Sequence, residues 1–181
     1  MKDGTRRRNL RTALAEDAAI AISDELERSF RAHHGLVFRT AYRITGNAAD
    51  AEDVLQTVFL RRIRRGREAD LLESEESYLR RAAINAALDV LRARQADRIV
   101  ELEELSANPK QGDALALRQA LARALSQLDP RRAEIFVLRF LEGFDNPEIA
   151  RLLGISQVLV AVLVHRTRQQ LRKELRRYLG S

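Results

Sequence analysis

The sequence predicts an all-α protein of two small helical domains joined by a linker, the second domain carrying a helix-turn-helix. Three observations predict it. Ala, Leu, Arg and Glu, all good helix formers, dominate the 181 residues, while Gly (8), Pro (3) and aromatic residues (5%) are scarce. Asp129-Pro130 and Asn146-Pro147 each place a capping residue before a proline at a first helical position. Apolar residues recur at three- and four-residue spacing through both halves of the chain.

The elements follow in chain order. Residues 1–23 read as a loose arm with some helical tendency. A helix from Glu25 to Thr45 stops at Gly46. Asn47 or Asp50 caps the next helix, which runs to about Arg65 with Val54, Leu55, Val58 and Phe59 on its apolar face. After a polar stretch, 67–76, Ser77 caps a helix through about Gln95 that turns Leu79, Ala83, Ala86, Val90 and Leu91 inward. Residues 97–112 combine Glu101, Glu103 and Glu104 with Ser106, Asn108, Pro109 and Gly112, the composition of a linker. The domains are therefore placed at 24–96 and 113–181. From Asp129 onward three helices are expected, 130–142, 147–153 and 157–177, the last capped by Ser156.

Composition excludes several function classes. With no cysteine there is no disulfide scaffold, thiol catalysis or Cys-based metal site. His33 and His34 are adjacent, so on a helix they point about 100° apart and do not share a metal. Carboxylates are spread along helices as solvated faces, and neither a P-loop nor a nucleophile elbow occurs. No enzyme, cofactor or metal is expected. The longest uncharged run, Leu152–Val164, is too short to span a bilayer, and no apolar stretch follows Arg6-Arg7-Arg8. The expected compartment is the cytoplasm, without membrane insertion. Net charge is +6, carried by Arg far more than Lys and concentrated at +5 over 113–181. Arginine suits bidentate pairing with phosphates and guanine edges.

The segment from Pro147 has the mechanics of a helix-turn-helix. Ala150 is small where two helices must cross, Gly154 stands at the tight turn, and Val160 packs back into the crossing. In DNA the start of the second helix would face base edges with Gln157, Val158, Ala161, Val162 and His165. Arg166, Arg168, Gln169 and Arg172 lie further along and suit phosphates. A plain helical hairpin would share this apolar pattern, and Val158 with Val162 would equally serve packing against another domain or a partner.

Four stretches stand out together: HHGLVFRTAYRITGNAADAEDVLQTVFLRR (33–62) and SYLRRAAINAALDVLRAR (77–94) in domain one, and LSQLDPRRAEIFVLRFLEGFDNPEIARLLGIS (125–156) and HRTRQQLRKEL (165–175) in domain two. On these residues both domains resemble a sigma-70 family sigma factor of bacterial RNA polymerase, of the extracytoplasmic-function (ECF) group. The first pair is similar to the region that binds core polymerase and recognises the −10 element, the second to the region that recognises the −35 element. The resemblance implies a non-enzymatic specificity subunit that docks on core polymerase, reads promoter DNA and helps open it, with an anti-sigma factor as a possible further partner.

The resemblance also implies residue roles. Glu52, Asp53, Gln56 and Leu60 would contact core polymerase. Tyr78, Asn85 and Asp89 match positions that capture unstacked bases of the non-template strand, and Arg80, Arg81, Arg92 and Arg94 would hold its backbone. Tyr78 reads equally as a core anchor with its hydroxyl at the surface. The sequence departs from the family at two places. Thr57 stands where a carboxylate is common, and Leu159-Val160-Ala161-Val162-Leu163 replaces the polar Thr-Val-Lys-Ser-Arg run of the recognition helix. A stand-alone helix-turn-helix regulator, and a helical adaptor binding protein through Val158, Ala161 and Val162, are the competing readings. The first leaves the helix from about 48 to 65 without a task.

Overall fold

The computed structural model describes residues 3–65, 74–101 and 113–176, with side chains over 24–64, 74–96 and 116–176. Its described residues form seven helices: α1 (Asp3–Thr45), α2 (Ala48–Arg65), α3 (Glu75–Glu101), α4 (Asp113–Ser126), α5 (Pro130–Phe140), α6 (Asn146–Leu153) and α7 (Gln157–Glu174). Helices α1–α3 pack as one cluster and α4–α7 as a second, so the all-α, two-cluster expectation holds. The acidic residues Glu68, Asp70 and Glu73, and most of the expected linker, lie outside the described residues.

Helix ends follow the local chemistry, with instructive differences. Of the two candidate caps of α2, Asn47 serves: its Oδ1 accepts the Asp50 amide at 3.1 Å. The cap of α3 is Ser74 rather than Ser77; its Oγ accepts the Ser77 amide at 3.3 Å, and its carbonyl accepts the Tyr78 amide. That helix continues past Gln95 to Glu101, and α1 begins at Asp3 rather than Glu25. Asp129 caps α5, accepting the amides of Arg131 and Arg132, but the helix closes at Phe140. The cap of α6 is Asp145 rather than Asn146. Asp145 accepts the Glu148 amide while Glu148 accepts the Asp145 amide, a reciprocal capping box that satisfies two otherwise orphaned donors. Helix α4 opens the second domain, where the sequence reading gives a domain boundary but no helix bounds. Its Ala120, Ala124 and Leu125 are buried at helical spacing.

In domain one, Ala41, Ala51, Ala83 and Ala87 are fully buried, and this lack of bulk lets three helices approach closely. Val37, Val54, Val58, Leu79, Ile84 and Leu88 fill the space between them. Polar contacts pin the bundle at both ends. At one end Glu75 of α3 accepts from Ser29 Oγ of α1 at 2.7 Å and lies 3.6 Å from His33 and 3.8 Å from Arg62 of α2. At the other, Arg94 of α3 donates to Asp50 of α2 at 2.6 Å. The second cluster is centred on Leu125, Ile135, Leu138, Ile149 and Val160, and α4 and α5 both pack on α3, so the buried surface runs on from one cluster into the other.

Asp50 is buried, with Oδ2 lacking a hydrogen-bond partner. Desolvation raises its carboxyl above the ordinary Asp range; Arg94 pulls it back and Asp53 adds to the rise. A raised folded pKa means that the folded protein holds this proton more tightly than the unfolded chain. The group's contribution is therefore largest at low pH and is lost as pH rises through the folded value. Asp50→Asn removes that loss. Urea unfolding of variant and wild type at pH 4 and pH 7 is expected to show the difference between their midpoints moving in the variant's favour at pH 7.

Candidate polymerase and nucleic-acid interfaces

The first surface lies on α2. Glu52, Asp53, Gln56 and Leu60 fall at helical spacing on the face turned away from Val54 and Val58, and all four are exposed. Leu60 is 54% exposed. Ile63 one turn on and Phe30 of α1 extend this apolar surface. Phe30 stacks on His34 and meets the edge of Phe59 at 5.0 Å, so the patch rests on a firm aromatic base. Carboxylates and an amide bordering exposed apolar side chains make a surface suited to protein rather than to phosphate.

The second group lies on α3 and is not uniformly presented. Asp89 and Arg94 are exposed; Tyr78, Arg80, Arg81, Asn85 and Arg92 are half-buried. Tyr78 packs against the core, as its anchor reading requires. The arginines are already paired: Arg92 with Asp89 at 2.9 Å, Arg94 with Asp50, and Arg81 Nε with Glu134 at 3.0 Å. Arg80 bonds Glu76 one turn back at 2.7 Å, bonds Glu142 of the second domain, and stands 5.2 Å from the ring centroid of Phe144.

Glu142 draws these groups together. Its side chain is 0% exposed, and it accepts from Arg43 Nη1 at 3.0 Å, from Thr40 Oγ1 at 3.2 Å and from Arg80 Nη1. The turn that presents it is anchored on α5: the Glu142 amide donates to the Val137 carbonyl and the Phe144 amide to the Leu138 carbonyl, with Gly143 between them at φ +83°. Sequence reasoning singled out none of Thr40, Arg43, Glu134, Glu142 and Phe144. Their partners lie 53 to 102 residues away, beyond any local spacing.

The third surface is the helix-turn-helix. The chain bends by 111° between α6 and α7, within the range of this motif and far from the reversal of a helical hairpin. Gly154 takes φ +62° and its amide closes on Ala150 and Arg151, while Ser156 accepts the Leu159 amide to start α7. Ile149, Ala150 and Val160 are buried at the crossing. Thr167, also buried, accepts from Arg132 of α5 at 3.2 Å and fixes the far half of α7. Gln157, Val158, Ala161, Val162, His165, Arg166, Arg168, Gln169 and Arg172 are all exposed. Val158 is 74% exposed, and His165 and Gln169 hydrogen-bond each other through their side chains. One helix thus carries an apolar start and a cationic continuation to the outside.

No helix among the described residues is by itself long and apolar enough to cross a membrane, and no cluster of three potential metal-ligating residues occurs among them.

Known proteins match both clusters. Residues 29–97 match the family described as Sigma-70 region 2, and residues 118–171 the family described as Sigma-70, region 4. The chain is 35% identical over 175 residues to the ECF RNA polymerase sigma factor SigE of Mycolicibacterium smegmatis, covering 92% of this chain and 66% of that protein. It is 32% identical over 153 residues to the RNA polymerase sigma-E factor of Streptomyces coelicolor, covering 83% of this chain and 86% of that one. The fold is similar, at a TM-score of 0.50 and 18% identity, to that of the sigma factor RpoE crystallised with the anti-sigma factor NepR from Bartonella quintana, covering 84% of this chain and 97% of that chain.

Proposed function

We propose that this chain, which belongs to the ECF group of the sigma-70 family of RNA polymerase sigma factors, divides the work of that family between its two helical clusters. As a sigma factor it is not an enzyme. It binds core RNA polymerase and promoter DNA and so selects where transcription starts. The observation that carries this reading is the order of the two family regions, region 2 on α1–α3 and region 4 on α4–α7.

In this reading α2 docks on core polymerase through Glu52, Asp53, Gln56 and Leu60, polar anchors beside an apolar patch. Tyr78, Asn85 and Asp89 of α3 meet unstacked bases of the −10 element, with Arg80, Arg81, Arg92 and Arg94 on the backbone. Helix α7 enters the major groove at the −35 element with Gln157, Val158, Ala161, Val162 and His165 foremost. Val158 and Ala161 present methyl groups that suit thymine methyls, and Gln157 suits adenine. Arg166, Arg168, Gln169 and Arg172 grip phosphates. With so apolar a reading face, affinity rests on those phosphate contacts, and the +5 net charge over 113–181 favours them. The protein works in the cytoplasm, and an anti-sigma factor is a further partner.

The test is capture of purified bacterial core polymerase by this protein, followed by run-off transcription on a pool of genomic promoters. Stable capture with new start sites supports the reading. DNA binding without capture would leave a stand-alone regulator. In a separate salt titration, Arg166→Ala with Arg168→Ala is expected to weaken binding to a −35 duplex and to flatten the slope of log affinity against log salt by about one to two units. An unchanged slope would remove both residues from the phosphate contacts.

A further inference from the structure

We propose that Thr40, Arg43 and Arg80 form a phosphodiester-binding subsite on domain one, and that Glu142 of domain two occupies it as a phosphate mimic when the domains are closed. The proposal rests on the sigma-factor reading and adds a competition to it: domain closure and capture of the −10 strand use the same donors.

The chemistry of the donor set is the first ground. Two guanidinium groups and a hydroxyl converge on two anionic oxygens: Arg43 on Glu142 Oε1, Thr40 and Arg80 on Oε2. The two non-bridging oxygens of a phosphodiester offer the same acceptor pair, and arginine binds carboxylate and phosphate with the same fork. With the domains closed, Thr40 is fully buried, the Arg80 side chain is 14% exposed and that of Arg43 is half-exposed. Of the groups beside the Arg80 guanidinium, Glu76 belongs to domain one and stays when domain two leaves with Glu142 and Phe144.

Charge is the second ground. Among the described residues, parting the domains leaves Arg80 with Glu76 and takes from Arg43 the carboxylate it pairs with. Two guanidinium groups left on one face without their shared carboxylate make a local positive potential that attracts an anion. The contact between Arg81 and Glu134 repeats the arrangement one residue along, again with the carboxylate on domain two. Two neighbouring arginines of the −10 face are thus both engaged by acidic groups of the −35 domain.

Distance is the third. Helix α5 packs against both α3 and α7, which puts the −10 and −35 helices about two interhelical spacings apart, roughly 20 Å. Elements centred about 25 base pairs apart are separated by about 85 Å of B-form duplex at 3.4 Å per pair. The closed arrangement therefore cannot serve both elements at once. Parting the domains frees the cradle at the step where a single strand becomes available to fill it.

The absence of cysteine from the sequence permits a clean test with the full chain. Ala49→Cys and Lys173→Cys, both exposed, take a donor and an acceptor dye, and a short single-stranded oligonucleotide of the −10 non-template strand is titrated in, taken from a promoter found by run-off transcription. The wild type is expected to lose energy transfer as the oligonucleotide binds. Glu142→Gln keeps the size of the side chain and removes its charge. It is expected to start open and, if about nine molecules in ten of the wild type are closed, to bind the oligonucleotide about tenfold more tightly. Glu142→Asp, with a shorter carboxylate, gives an intermediate gain. Adding Arg43→Ala and Arg80→Ala to Glu142→Gln should abolish the gain. A gain that survives those two changes, or opening without any gain, would overturn the subsite. Failure of the wild type to capture core polymerase or any promoter DNA would sink the sigma-factor reading itself, and the subsite with it, even if Glu142→Gln still parted the domains.

Discussion

Asp53→Ala combined with Leu60→Ala is expected to reduce affinity for core RNA polymerase by about a hundredfold or more, while helix content and the unfolding midpoint stay close to those of the wild type. Both side chains are exposed on α2 and neither contributes to the core, so the cost to folding stays within about 0.5 kcal/mol. At an interface the same side chains behave differently. A buried apolar anchor and a charge with a partner are each worth roughly 2 kcal/mol when truncated, and every 1.4 kcal/mol is a factor of ten in affinity. Equilibrium binding of labelled protein to core polymerase, with circular dichroism as the folding control, measures both. Undiminished affinity would move the docking surface away from this face of α2, toward the neighbouring patch of Phe30 and Ile63.

Ile149→Ala carries the largest expected effect on stability. Ile149 is fully buried where α6 crosses α7, beside Ala150 and Val160. Truncating such a side chain costs about 2–5 kcal/mol, depending on how far the neighbours collapse into the space. A domain the size of α4–α7 has of the order of 3–10 kcal/mol in total. The change therefore consumes much of that reserve. Urea unfolding is expected to separate into two transitions, the earlier one belonging to α4–α7, and binding to a −35 duplex is lost. Core capture persists, because α1–α3 hold their own buried set of Val37, Val54, Leu79, Ile84 and Leu88. A single unshifted transition would mean that the crossing is not where the second domain draws its stability.

The fold was legible wherever a short-range rule governs it. Asp129, Ser156 and Gly154 were readable because a capping side chain or a left-handed turn acts within four residues. The same logic could have separated Asp145 from Asn146: both are able caps, but only Asp145 has a glutamate three residues on to complete the reciprocal pair. Likewise Ser74 and Ser77 compete for one helix end, and the outcome depends on Glu75, whose carboxylate is wanted at the first turn of α3 by Ser29, His33 and Arg62 of two other helices. The outward residues of α2 and α7 were legible because helical periodicity assigns faces. The engagement of Arg80 and Arg81 was not, since nothing near them in sequence points to Glu142 and Glu134. Those contacts exist only once α5 has been laid against α3.

The position of Glu142 in the chain has a consequence for synthesis. The face of α3 that carries Arg80 and Arg81 is complete once α3 has left the ribosome, but the carboxylate that covers Arg80 follows about 40 residues after Glu101. At about 5–20 residues per second this interval lasts about 2–8 s. For those seconds every nascent chain carries its arginine face uncovered among the nucleic acids of a translating cell. Only when α5 and the turn after it are made do Glu134 and Glu142 reach Arg81 and Arg80.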